Sequence, residues 1–217
     1  MAFRLSSHIQ SGKFALSETP PGSCRQGLFR KDRGNVGGWL NKTVVLVGMM
    51  GAGKTAVGTQ AARLLNVPFV DSDDEIVNAA NRSIAEIFER DGEPFFRRKE
   101  SLVLHRLLQG RPAVLSTGGG AFLAAENRVM IAELGVSVWL RVDLDLLWQR
   151  VRHKSTRPLL RTPNPRDSLR KLYEERLPIY QLAEIVVDAR ADYSIDDMAR
   201  KVVAALGVRP DVLEARR

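Results

Sequence analysis

Gly48-Met49-Met50-Gly51-Ala52-Gly53-Lys54-Thr55 has the spacing G-x-x-x-x-G-K-[ST] of a phosphate-binding loop. Its glycines allow successive backbone N–H groups to point inward, and the N-terminus of a following helix completes an anion site. Lys54 supplies a mobile positive charge for β- and γ-phosphate oxygens, and the Thr55 hydroxyl is a Mg2+ ligand. The loop from Gly51 through Ala52, Gly53, Lys54 and Thr55 to Ala56 is therefore the expected ATP cradle.

Other chemistry-bearing residues fall at three more points. Asp71 and Asp73 close a short apolar run, and Ser116 closes another just before Thr117-Gly118-Gly119-Gly120. No apolar strand ends in Asp-Glu, so Asp71 and Ser116 are expected near the Mg2+, directly or through water. That leaves Asp73 as a carboxylate able to take a proton from a substrate hydroxyl, with a helix cap as the bland alternative. Three glycines in a row pack nothing, and a ligand approaching the backbone of Gly118, Gly119 and Gly120 is their expected use. Arg97 lies near a helix start, where a cation opposes the helix dipole, and so calls for an anionic partner; Glu100 is three residues on. Arg157 falls in a segment suited to a closing flap, and Arg176 near a helix end. Arginines clamp carboxylates bidentately. Together these residues point to phosphoryl transfer to a small hydroxylated acid.

Elements of alternating type must hold these groups. Thr43–Val47 is apolar and β-branched, as a buried parallel strand requires, and Val57, Ala61, Leu64 and Leu65 follow at helical spacing. Further strands are expected at Pro68–Asp71, Ala113–Ser116, Val136–Val142 and Ile185–Asp188. Between them the spacing predicts helices with recognisable stops. Asp73 or Asp74 is expected to cap the second, Ser83-Ile84-Ala85-Glu86 is a capping box, and Asp91-Gly92 breaks the chain ahead of Pro94. A helix from Arg166 is expected to stop at Pro178. The fold class is α/β: a five-stranded parallel sheet flanked by helices in three layers. Ligands of such sheets bind beyond the carboxyl ends of the strands.

Composition bounds the remainder. The chain has 217 residues, 44% of them hydrophobic, enough for one domain with a sizeable core. No apolar run reaches bilayer length, so no membrane partner is expected. Cys24 is the single cysteine, which suits a reducing cytosol. The net charge of +8 is uneven: residues 1–42 carry seven Lys/Arg against two acids, so most of it precedes the first strand. Residues 1–41 read as a flexible extension, with a targeting peptide or basic arm as alternatives. Residues 42–207 read as the domain, with a mobile flap at 153–165, and 208–217 as a polar tail. No basic patch interleaved with aromatics supports a nucleic-acid partner.

From about residue 43 to 206 the chain resembles shikimate kinase, of the nucleoside-monophosphate-kinase-like P-loop fold. The resemblance is carried by Gly48–Thr55 with Gly58, Asp71-x-Asp73, Asp91-Gly92-Glu93 leading to Phe96-Arg97 and Glu100, Thr117–Gly120, Arg157-Pro158-Leu159-Leu160 and Arg176-Leu177-Pro178-Ile179-Tyr180. It implies Mg2+- and ATP-dependent phosphorylation of the shikimate 3-hydroxyl; a cytoplasmic monomer is expected. It also implies that Asp73 binds the substrate hydroxyls and is the candidate base. By the same resemblance Arg97 and Arg176 grip the carboxylate, Gly118–Gly120 lie against the substrate, and Arg157 is the flap arginine. Arg150 matches the position that stacks on adenine. The chain departs from many members at Ala56, where a hydroxyl often follows the loop threonine, and no proline near Arg190–Tyr193 matches the usual adenine cover. A kinase for gluconate or a nucleoside monophosphate would not need both carboxylate arginines. A sensor that had lost turnover should have eroded Lys54, Asp73 or Arg157.

Overall fold

A computed structural model describes residues 38–153 and 162–215. Strand β2 (Thr43–Val47) has all five residues buried, as expected of a strand covered on both faces. It runs through the glycine loop into α1 (Lys54–Leu65). Gly51 and Gly53 take φ of 83° and 93°, which side chains with a Cβ rarely adopt. Asn66, also left-handed, ends α1.

Strand β3 (Phe69–Asp71) leads directly into α2 (Ser72–Ala80). The cap of α2 is Asp71, not Asp73 or Asp74: the Asp71 carboxylate accepts the Asp73 backbone N–H at 3.1 Å. Asp71 is still extended (φ −108°, ψ 123°) at the end of the strand, which is the conformation a cap needs. Asp73 is thus inside the first turn, with its side chain released from capping.

The predicted box caps α3 (Ile84–Leu108), with Ser83 and Glu86 bonding reciprocally. Gly92 (φ 79°, ψ 167°) kinks α3 into two helical runs, and Pro94 opens the second. A small core of Ile76, Ile87 and Phe96 ties α2 to both runs. Phe96 is buried there, which fixes the rotation of the second run and so the direction of Arg97.

Strand β4 (Val114–Ser116), a 3-10 turn at Ala121–Leu123, α4 (Ala125–Leu134), β5 (Gly135–Arg141), α5 (Leu144–Val151), α6 (Pro165–Tyr180), β6 (Ile185–Asp188) and α7 (Ile195–Gly207) follow. The five strands are parallel in the order β3-β4-β2-β5-β6. The connections after β2 and after β4 leave in opposite directions, so the switch point lies at the carboxyl ends of these strands. Register puts Leu46, Ser116 and Asp71 in one row across β2, β4 and β3.

Two expectations are corrected. Helix α6 does not stop at Pro178 but runs on to Tyr180. Proline removes only the bond to the residue four earlier, and the last turn is anchored by Tyr180, 1% exposed and stacked between Phe122 and Trp139. Residues 38–40 and 212–215 also hold more structure than a flexible extension and a polar tail would. Strand β1 (Gly38–Leu40) pairs antiparallel with β7 (Leu213–Ala215), and Lys42 bonds Asp211 at 3.2 Å. Val212 and Leu213 are buried in the main core.

Candidate active site

The carboxyl ends of β2, β3 and β4 open into a cleft of about 480 Å3. It is lined by Gly51–Ala56, by Asp71, Asp73, Ser116 and Gly118–Gly119, and by Arg150, Tyr193 and Ile195. Lys54 crosses the loop to the carbonyls of Gly48 and Met49, at 2.8 and 3.1 Å. Thr55 Oγ1 donates to Asp71 Oδ2 at 3.1 Å, and Ser116 is beside Asp71 in the register. These three oxygen donors suit a hard cation that keeps several waters. Among the described residues no cluster of three His, Cys, Asp or Glu exists that could hold a metal unaided. A Mg2+ here would therefore depend on phosphate oxygens and water for its remaining ligands.

Asp73 Oδ1 is buried and has no hydrogen-bond partner among the described residues. Burial pushes the Asp73 carboxyl above the usual carboxylate range, and the nearby Asp71 charge adds to this; Lys54 opposes both. Asp73 also lines the cleft, where a carboxylate of raised pKa suits a hydroxyl-binding base.

The glycine segment brings the remaining groups together. A Cβ on Gly118 would lie 2.8 Å from Asp73 Oδ1 and 3.2 Å from Glu100 Oε1. One on Gly119 would lie 3.6 Å from the Arg176 guanidinium, and one on Gly120 would overlap that of Arg97. Arg97 and Arg176 do not form walls of the cleft; they are held against Gly120 and Gly119 instead. Arg97 has the anionic partners its position demands, Glu100 at 2.8 Å and Glu93 at 2.9 Å. The Glu100 side chain is 2% exposed. Burial raises its pKa, and Arg97 pulls the other way. Arg176 reaches the Gly119 carbonyl at 3.4 Å.

The sequence-predicted residues Gly51–Ala56, Asp71, Asp73, Ser116, Gly118, Gly119 and Arg150 thus share one cleft, and Arg97, Gly120 and Arg176 adjoin it. Arg150 bonds only weakly, at 3.4 and 3.5 Å to the Ala52 and Gly51 carbonyls, and burial lowers its pKa. Arg157, and most of the expected flap, lie outside the described residues. Sequence reasoning missed Tyr193 and Ile195 as residues lining the cleft. Their signal was their place at the start of α7, Tyr193 closing the Arg190–Tyr193 stretch and Ile195 opening the helix.

A family model described as shikimate kinase matches residues 50–207. The chain belongs to the shikimate kinase family. It is 65% identical over 185 residues to the shikimate kinase of Cereibacter sphaeroides, covering 85% of this chain and 92% of that one. It is 65% identical over 175 residues to the enzyme of the same name from Ruegeria pomeroyi, covering 81% and 90%. Among solved structures, the shikimate kinase of Acinetobacter baumannii in complex with shikimate superposes with a TM-score of 0.72 at 38% identity, over 77% of this chain and 94% of that one. The kinase fold, the activity class of an ATP-dependent phosphotransferase acting on an alcohol, and the family are thereby shown together.

Proposed function

We propose that this member of the family transfers the γ-phosphoryl group of ATP to the 3-hydroxyl of shikimate, with one carboxylate and two guanidiniums arranged along Gly118–Gly120 as the acid's receptor. The observation that carries this reading is that arrangement: Asp73, Arg176 and Arg97 meet three consecutive residues that have no side chains of their own. A polyol has use for the carboxylate alone, whereas a hydroxylated acid uses all three. The relative from Acinetobacter baumannii, solved with shikimate bound, supports the choice of acid.

In this mechanism Arg97 and Arg176 orient the carboxylate. Asp73 accepts the proton of the attacking hydroxyl, and its raised pKa strengthens it as a base. The backbone of Gly51–Thr55 holds the phosphates, and Lys54 is released from its loop carbonyls to them. Arg157 closes over the transferring group from the flap. Arg150 packs against adenine. Mg2+, held by Thr55 with Asp71 and Ser116 directly or through water, would neutralise phosphate charge when bound. The protein acts as a cytosolic monomer, with the single cysteine supporting a reducing compartment.

The test is coupled ADP release from Mg-ATP with shikimate, quinate, gluconate and nucleoside monophosphates as separate acceptors. Turnover with shikimate far above the others is expected. Preference for gluconate or a nucleoside monophosphate would overturn the reading.

A further inference from the structure

The three glycine carbonyls beneath the acid site are all engaged. Gly118 accepts from the Ala121 N–H at 3.2 Å and Gly120 from the Leu123 N–H at 3.0 Å. Both are local turn bonds. Gly119 lies between them and has no backbone partner among the described residues; its carbonyl accepts the Tyr180 hydroxyl at 2.6 Å, across 61 residues of sequence. A peptide between two glycines meets little steric resistance to rotation. One hydrogen bond from a rigid donor therefore decides which way the Gly119–Gly120 peptide faces.

Tyr180 is such a donor. Its ring is fixed by Phe122 and Trp139, at centroid distances of 6.5 and 6.2 Å. Burial pushes its hydroxyl up to about 12, so it keeps its proton throughout the working range. Arg176, one turn earlier on the same face of α6, lies beside this hydroxyl and reaches the same carbonyl only at 3.4 Å. With Tyr180 holding the carbonyl at 2.6 Å, the Arg176 bond to it stays long and weak.

We infer that Tyr180 is a positioning residue for the acid substrate: its hydroxyl holds the Gly119 carbonyl inward, so that the glycine backbone keeps one orientation and the Arg176 guanidinium stays available to a ligand carboxylate. The inference rests on the reading of Arg176 and Gly118–Gly120 as the acid site. It accounts for the continuation of α6 past Pro178, since a helix ending there would not deliver the hydroxyl.

Tyr180→Phe keeps the ring and removes only the donor. In steady-state kinetics the variant should raise KM for shikimate about tenfold, leave KM for ATP unchanged and alter kcat by less than about threefold. Backbone 15N–1H spectra of the unliganded protein should show Gly119 and Gly120 shifted and broadened, with the β2 amides unmoved. Equal KM changes for both substrates, or unchanged glycine resonances, would overturn the proposal. The spectra decide this without turnover, so a wild-type protein inactive on shikimate would defeat the functional reading and leave this one decidable.

Discussion

Asp73 Oδ1 and the α-carbon of Gly118 face each other so closely that a methyl group on the glycine would sit 2.8 Å from the oxygen. The base and the glycine segment are therefore one fitted unit, built from the ends of two neighbouring strands. Gly118→Ala should push the Asp73 carboxylate aside at small cost to folding, because the displaced atoms end a short side chain. The expected outcome is a loss of kcat of about a hundredfold or more, since small displacements of reacting groups are costly. Circular dichroism should be unchanged. Near-normal turnover would mean that Asp73 is not held by this contact.

Asp73→Asn removes the base and should lower kcat by about a hundredfold to ten-thousandfold. It should also stabilise the protein at neutral pH. The raised native pKa means that the folded state binds a proton more readily than the unfolded state, so the wild-type carboxylate loses stability as pH rises from the ordinary carboxylate value through the native one, and the loss is complete above it. The thermal midpoint of the variant should exceed that of wild type at pH 8, and the difference should vanish below the ordinary carboxylate pKa. The acid limb of the wild-type kcat/KM profile should lie above the ordinary aspartate value.

Arg97→Ala leaves the Glu100 carboxylate buried beside Asp73 without its cation. A destabilisation of about 3 kcal/mol is expected in denaturant titration, with a large rise in KM for shikimate. Arg97→Ala/Glu100→Gln should recover most of the stability and none of the affinity. Recovery of both would show that Arg97 acts through Glu100 rather than on the ligand.

Much of this architecture was legible in the chain. The strand before Gly48 is mostly apolar and β-branched, the Ser83 box announces its helix, and the strand-end rule gathers Asp71, Asp73 and Ser116. What was not legible depends on contacts distant in sequence. Pro178 reads locally as a helix stop, and only the docking of Tyr180 between Phe122 and Trp139 carries α6 through it. Asp71 caps α2 because β3 ends without a linker, a boundary that spacing alone places a residue or two late. The β1–β7 ribbon escaped notice because strands of three residues carry almost no periodicity.

That ribbon gives a prediction separate from catalysis. Deleting residues 212–217 removes the buried Val212 and Leu213 and should cost about 3 kcal/mol of stability. KM values for both substrates, measured well below the new melting point, should be unchanged. A changed KM would mean that the chain ends reach the site.

The central claim is that a single hydroxyl of a bound acid is placed against Asp73 for phosphoryl transfer. Phosphorus-31 NMR of the full chain with Mg-ATP and shikimate tests it most directly. The account predicts ADP and one new monoester resonance coupled to the proton on carbon 3, in equal amounts. Inorganic phosphate as the main product, or a monoester at another oxygen, would contradict it.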